Sequence, residues 1–410
     1  MFIVCTAAVL ALYEILCLDH VIGYLDGKLY YQYLPEWFIE KNFSFYVKYP
    51  FGTALLESPF FIVAHLLTKL INPTNATGYG GLYEYAVGFA GIFYFIFGSV
   101  LIYKTLVDIE DTPQGEGKEN RAAFITIVFL TLGTFLPYYA TRYAAFSHIY
   151  TYFAASLFIY LTVKIKSGEK PGLSFLLGIT AGLLFLIRNV NIVFVFFYLL
   201  TDIKDVKSKL KPKRLLFNIL GGLLVVIPQF IYWKRTTGHF ILNTYSDESF
   251  SYLLRPKFYE IFLSDAKGIL ILSPILIFSF LGFFYIFKKE APERPYAIAA
   301  LFLTVIELYL TAAWWCWWLG GVYGVRAVID IFPIMAIPLN AFIKTILYKR
   351  DEGEAPDLQK AFKPAKIIFI ILCILFVYAN LAFLLAAERG LLNETFTTWY
   401  ELKRAFFLQG

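Results

Sequence analysis

An all-α, polytopic integral membrane protein is the fold class this sequence predicts, on three observations. Of its 410 residues, 59% are hydrophobic, 20% aromatic and only 16% charged, more apolar surface than a water-soluble domain of this length needs. Uncharged runs near helix-spanning length recur along the whole chain. Lys and Arg concentrate in five short loops between those runs, 104–121, 164–171, 202–214, 288–294 and 349–366. That distribution reports orientation in a bilayer rather than nucleic-acid binding. Together these features predict a single domain over residues 1–410 with about eleven transmembrane helices.

The elements follow in order. The first run, 2–18, has neither a basic leader nor a small-residue cleavage site, so it reads as a retained helix. The second, 50–72, contains Pro50, Gly52, Glu57, Pro59, His65 and Lys69 and is assigned to an interfacial or re-entrant helix, the alternative being an ordinary span with the amino terminus outside. Spans follow at 82–106, 122–140 and 146–165. The run at 172–201 is too long for one helix and splits at Arg188-Asn189 into two shorter ones. The last spans are 215–233, 268–287, 296–314, 327–347 and 366–387. With the basic loops in the cytoplasm, the amino terminus is cytoplasmic. Residues 19–81 form a large first outer loop, 234–267 a second, and the tail from Glu388 faces outward. Cys5, Cys17, Cys316 and Cys373 show no CxxC spacing, so neither a disulfide framework nor a zinc site is indicated.

The first outer loop carries the feature that most needs a reason. Over 26–41, Leu29, Tyr30, Tyr33, Leu34, Trp37 and Phe38 fall on one helical face, with Lys28, Gln32, Glu36 and Glu40 opposite. Pro35 bends this helix or begins a new one. The result is an amphipathic juxtamembrane helix lying flat on the bilayer, with Asp26 at its start. Asp26 caps such a helix. A carboxylate there also serves as a general base towards an incoming hydroxyl or amine, and the two roles are compatible.

An anionic leaving group needs cations, and the outward-facing ones are Lys48, Arg142, Arg188, Arg255, Lys257, Lys267 and Arg326. Arg188, flanked by apolar residues, is costly in a bilayer unless it faces a polar cavity or pairs with Glu84, Glu14 or a backbone carbonyl. Arg326 follows Trp314-Trp-Cys-Trp-Trp-Leu-Gly-Gly-Val-Tyr-Gly-Val. Those tryptophans are interface anchors or a sugar-stacking surface, and Asp330 one turn on is a ready partner for the arginine. His148, opening a span, hydrogen-bonds phosphate, tunes the base or simply ends a helix. Glu14 is expected to face the helix bundle, and Glu57 and His65 to form the polar face of the 50–72 helix. Phosphate loops, GxGxxG, HExxH and Gly-x-Ser-x-Gly are absent from the sequence. The first outer loop has no Asp-x-Asp, so a divalent metal is not expected, although Asp19 and Asp26 are able to share an ion.

This constellation resembles the C-type (GT-C) membrane glycosyltransferases, nearest to the protein O-mannosyltransferase and lipid A aminoarabinose transferase branch. Asp26 with Tyr30 and Tyr31 is similar to that family's acidic-then-aromatic signature. Lys48-Tyr49-Pro50 is similar to a Lys-Pro-Pro element, with Tyr49 in place of a proline. Arg188 ends a Gly-rich run from Gly178, as a basic residue does in the family's fifth span. His148 falls near a family acidic position. The resemblance covers most of the chain and rests heavily on topology.

It implies an inverting glycosyltransferase of a prokaryotic inner membrane. A sugar would pass from a polyprenyl-phosphate donor to a glycan, lipid or protein acceptor on the extracytoplasmic side. Asp26 would be the catalytic base, with Tyr30, Tyr31, Lys48, His148, Arg188 and Arg326 binding substrate. No cofactor and no nucleic-acid partner are implied. A transporter or lipid flippase of the cell envelope is the rival reading, because intramembrane charges and broken helices occur there too. The lack of an inverted repeat and the one-sided placement of polar groups weigh against it. A structural subunit of an envelope complex is a second rival.

Overall fold

The computed structural model describes residues 2–17, 21–23, 25–110, 117–166, 170–242, 248–288, 291–348 and 356–409. Asp19 and parts of four of the five basic loops lie outside the described residues. Every regular element among those described is helical. In chain order the first are α1 (Phe2–Cys17), α2 (Leu25–Tyr31), α3 (Tyr33–Phe38), α4 (Gly52–Ile71) and α5 (Leu82–Glu110). Then come α6 (Lys118–Leu132), α7 (Leu136–Ala140), α8 (Ser147–Lys166), α9 (Pro171–Ile187) and α10 (Val195–Leu200). α11 (Val206–Lys209), α12 (Pro212–Thr237), α13 (Phe258–Leu263), α14 (Ile269–Leu272) and α15 (Ile277–Lys288) follow. The chain ends with α16 (Arg294–Ala313), α17 (Phe332–Leu347), α18 (Pro356–Glu388) and α19 (Trp399–Phe406). Among the described residues six helical segments are long and apolar enough to cross a membrane: α4, α5, α12, α16, 326–347 and 364–388. The architecture is that of a helical, membrane-embedded protein.

The chain forms two compact units, one of residues 1–101, 137–199 and 204–248, the other of 102–136, 200–203 and 249–410. In the first, the helix expected over 50–72 is α4, and it is also long and apolar enough to cross a membrane. It is one continuous 20-residue helix, and several of the polar residues within it find partners. Pro59 has no N–H for the Leu55 carbonyl, and the Ser58 hydroxyl donates to that carbonyl at 2.8 Å. Buried Glu57 accepts from the Tyr150 hydroxyl at 3.1 Å. His65 Nδ1 lies 2.7 Å from the Tyr83 hydroxyl. The helix runs antiparallel to the first half of α5. Tyr94 donates to the Leu56 carbonyl at 2.9 Å, the Phe60 and Phe93 rings sit 5.5 Å apart, and His65 meets Tyr83.

Expected breaks also have causes. α9 stops at Ile187; Arg188 is extended, and a 3-10 turn over Asn189–Phe194 leads into α10. The run expected at 122–140 divides into α6 and α7 around Gly133, with Pro137 at the restart. Asn380 of α18 takes up the carbonyls freed there, donating to Leu132 and Thr134 at 2.9 and 3.1 Å. The run at 268–287 is interrupted by Ser273-Pro274, which turns α14 into α15 through a 3-10 segment. Lys344 of α17 bonds Glu110 and Glu293, the latter at 2.6 Å. The tail beyond Glu388 folds into α19, which the sequence reading did not anticipate; Thr398 and Glu401 close a capping box at its start.

Candidate functional site

In the first unit four chain segments meet at one end of α8, α9 and α12, and the sequence-derived residues lie on them. α2 begins there, with half-buried Asp26 in its first turn. Gly27 seats α2 on the turn before α8: a Cβ at 27 would stand 3.0 Å from the Ala145 Cβ and 3.7 Å from the Phe146 ring. α8 follows at once with Ser147 and His148. One turn on, the Thr151 hydroxyl accepts from Asn191 Nδ2 at 3.0 Å, and the Asn191 N–H donates to the Arg188 carbonyl at 2.9 Å. The preceding residues of α9 press against α4, where a Cβ on Gly52 would stand 2.3 Å from the Leu186 carbonyl carbon. Immediately before Gly52, the Phe51 N–H donates to Gln229 of α12 at 2.8 Å. The loop then returns to α2, where the Tyr49 ring stacks on Tyr30 at 4.3 Å and 14°. Tyr30 lies four residues after Asp26, on the same helical face. Asp26, His148, Arg188 and Lys48 are thus carried by a closed circuit of contacts.

Their individual settings differ. Lys48 is half-buried, bridges to Glu248, and holds its ammonium 5.4 Å from the Tyr49 ring centroid. Arg188 is half-buried at the last turn of α9. His148 is 3% exposed and meets the Tyr139 ring edge-on, so it backs the Ala145–Phe146 turn. Tyr30 is 4% exposed and holds the Lys48 loop through its ring. Tyr31 is fully buried and donates to the Gly78 carbonyl at 2.6 Å. Burial, and then the Glu57 charge, pushes the Tyr31 phenol well above its ordinary pKa. Both tyrosines hold α2 in place, Tyr30 through Tyr49 and Tyr31 through Gly78. Glu84, a partner expected for Arg188, accepts the Ile22 N–H at 2.8 Å. Glu14 is buried against Gly88 of α5.

Arg326 belongs to the second unit, where it is half-buried at the start of a 3-10 turn over Arg326–Ile331. Its neighbour there is Lys267, fully buried, whose amine donates to the carbonyls of Val322, Glu394 (2.6 Å) and Gly320 (3.4 Å). Burial, then the Arg326 charge, pushes Lys267 down to about 7. Its role is to tie the Trp-rich loop to the segment before α19. Among the described residues no group of three His, Cys, Asp or Glu side chains that could hold a metal ion is gathered.

Sequence reasoning missed Gln229, Glu248 and the Asn191–Thr151 bond. Only Gln229 left a signal, an amide beside Pro228 in the apolar stretch 219–233 of α12. A scan of protein-family models and a search of curated proteins find no match to this chain.

Proposed function

We propose that the chain is a membrane glycosyltransferase that moves a sugar from a polyprenyl-phosphate donor to an acceptor on the extracytoplasmic side. The observation that supports this most is where the circuit lies on its helices. α8 begins at the circuit and carries Lys164 near its far end. α9 starts after Lys170 and ends just before Arg188. α12 starts among Lys207, Lys209, Lys211, Lys213 and Arg214 and reaches the circuit at Gln229. Along each of these helices the basic end and the circuit are about 25 Å apart at 1.5 Å per residue, close to a hydrocarbon core of roughly 30 Å. Basic ends favour the cytoplasm, so the circuit falls at the outer surface. α4 starts at this level, beside α9, and runs antiparallel to α5, away from the basic ends. It therefore stays on the outer side even though its length would let it cross, which leaves the amino terminus cytoplasmic.

In this scheme Asp26 accepts the proton of the acceptor hydroxyl or amine as that atom attacks the anomeric carbon. The bond from that carbon to the phosphate oxygen breaks from the opposite face, inverting the centre. Lys48 and Arg188 meet the charge that grows on the departing lipid phosphate. Phosphate would have to draw Lys48 away from Glu248. The scheme uses residues of the first unit alone. A flippase remains the second reading, because Arg188 interrupts a helix as transporter sites do.

Native mass spectrometry of the purified protein tests donor binding. A co-purified polyprenyl phosphate, free or glycosylated, should be weakened about tenfold or more by Lys48→Ala and by Arg188→Ala. Bulk phospholipid alone, indifferent to both substitutions, would remove the donor from the scheme.

A further inference from the structure

A groove of about 530 Å³ runs along α9, α10 and α12 of the first unit. Gly178, Gly182 and Gly222 line it where α9 and α12 draw together. Its polar side chains are Lys209, Asn218 and Tyr198; every other lining group is aliphatic, aromatic or glycine. The polar groups are gathered towards one end. Lys209 is 6% exposed and sets its ammonium 5.5 Å from the Tyr198 ring centroid. Lys204, Lys207, Lys211, Lys213 and Arg214 neighbour it in sequence. Asn218 lies six residues into α12, about 9 Å along the axis. Its Oδ1 is buried without a hydrogen-bond partner. From Asn218 to Phe230 the α12 wall is apolar for about 18 Å.

A cation, then an amide, then a long apolar channel is the order of phosphate, ester and acyl chain in a glycerophospholipid. We propose that this groove binds an anionic glycerophospholipid from the leaflet on the basic side. Its phosphate meets Lys209, its ester region meets Asn218, and one acyl chain lies along Gly182 and Gly222. The Asn218 amide, turned by half a rotation, presents Nδ2 to an ester carbonyl. A polyprenyl phosphate entering from the circuit end would place its charge among Phe185, Ile192 and Phe230, which offer no donor. The site stands apart from the transferase reading, since none of its lining residues takes part in that scheme.

Gly222→Leu tests it by filling the groove. The nearest atom to a Cβ there is the Gly178 carbonyl oxygen at 3.5 Å, so the backbone accepts a side chain, and leucine is the better helix former. Purified wild type, Gly222→Leu and Lys209→Ala would be delipidated in detergent, then titrated with phosphatidylglycerol or phosphatidylcholine and read by native mass spectrometry. Wild type is expected to retain one phosphatidylglycerol, and Gly222→Leu to lose it about tenfold or more. Lys209→Ala should weaken phosphatidylglycerol about fivefold with phosphatidylcholine unchanged. Wild-type retention in Gly222→Leu overturns the proposal. So does equal loss of both lipids in Lys209→Ala, or the finding that the species displaced by Gly222→Leu is a polyprenyl phosphate.

Discussion

Replacing Gly52 by alanine tests whether the Lys48 loop is set by direct backbone contact with the end of α9. A Cβ at 52 would stand 2.3 Å from the Leu186 carbonyl carbon and 2.5 Å from both the Ile187 nitrogen and the Leu186 oxygen. Ordinary contact begins at 3.4 Å, so the methyl group arrives about 1.1 Å too close. All three obstacles are main-chain atoms, which have no alternative rotamer. Overpacking of this kind costs about 1–3 kcal/mol. The gain in helix propensity returns at most ~1 kcal/mol, so the variant is expected to be less stable. The start of α4 must also retreat by about an ångström, carrying Lys48 with it. Misplacement on that scale is worth roughly a hundredfold in rate. The assay is thermal unfolding and donor turnover of Gly52→Ala beside Gly222→Ala, whose Cβ meets its nearest atom at 3.5 Å. Gly222→Ala should be neutral or stabilising by up to ~1 kcal/mol. A Gly52→Ala protein that melts with wild type and turns over normally would refute the backbone contact.

Three further outcomes follow from the geometry. Tyr31→Phe removes the donor to the Gly78 carbonyl in a fully buried setting. It should cost about 1–2 kcal/mol in thermal unfolding and leave donor binding intact; an unchanged melting point would count against the bond. Lys267→Met keeps the aliphatic stem but deprives three carbonyls of their donor. A loss of about 3 kcal/mol and faster proteolysis around 393–398 are expected, whereas wild-type resistance to protease would show that the tether is idle. Glu248→Gln removes the charge that holds Lys48. Polyprenyl-phosphate affinity should then rise about threefold to tenfold, and a fall would place Glu248 on the binding side of the balance.

What the sequence made legible was local. The Arg188-Asn189 pair stands out because a charge interrupts an apolar run, and α9 ends at Ile187. Asp26 stands out because it precedes an amphipathic pattern, and it lies in the first turn of α2. Pro35 lies in the first turn of α3, and the pattern breaks at Gln32 between α2 and α3. Partnerships across long stretches of chain left no such trace. Gln229 reaches the Phe51 N–H across 178 residues, and Glu248 reaches Lys48 across 200. For the same reason the partners of the polar residues in 50–72 were not legible: the Tyr150 and Tyr83 hydroxyls that reach Glu57 and His65 lie on other helices. The aromatic residues after Asp26 are read correctly as a helical face, but periodicity does not distinguish a ring that meets substrate from one that packs. The Tyr30 ring stacks on Tyr49 and the Tyr31 hydroxyl bonds Gly78.

The most direct measurement compares Asp26→Asn with wild type in lipid vesicles loaded with a polyprenyl-phosphate sugar, read as release of free polyprenyl phosphate. Asparagine matches aspartate in shape, and the charge it removes from the first turn of α2 is worth only about 0.3–1 kcal/mol there, so α2 should persist and the donor should still bind. The account predicts release by wild type in the presence of membrane extract as acceptor source, and release about a thousandfold slower in the variant. Equal release from Asp26→Asn, or movement of intact donor across the bilayer with none released, would contradict it.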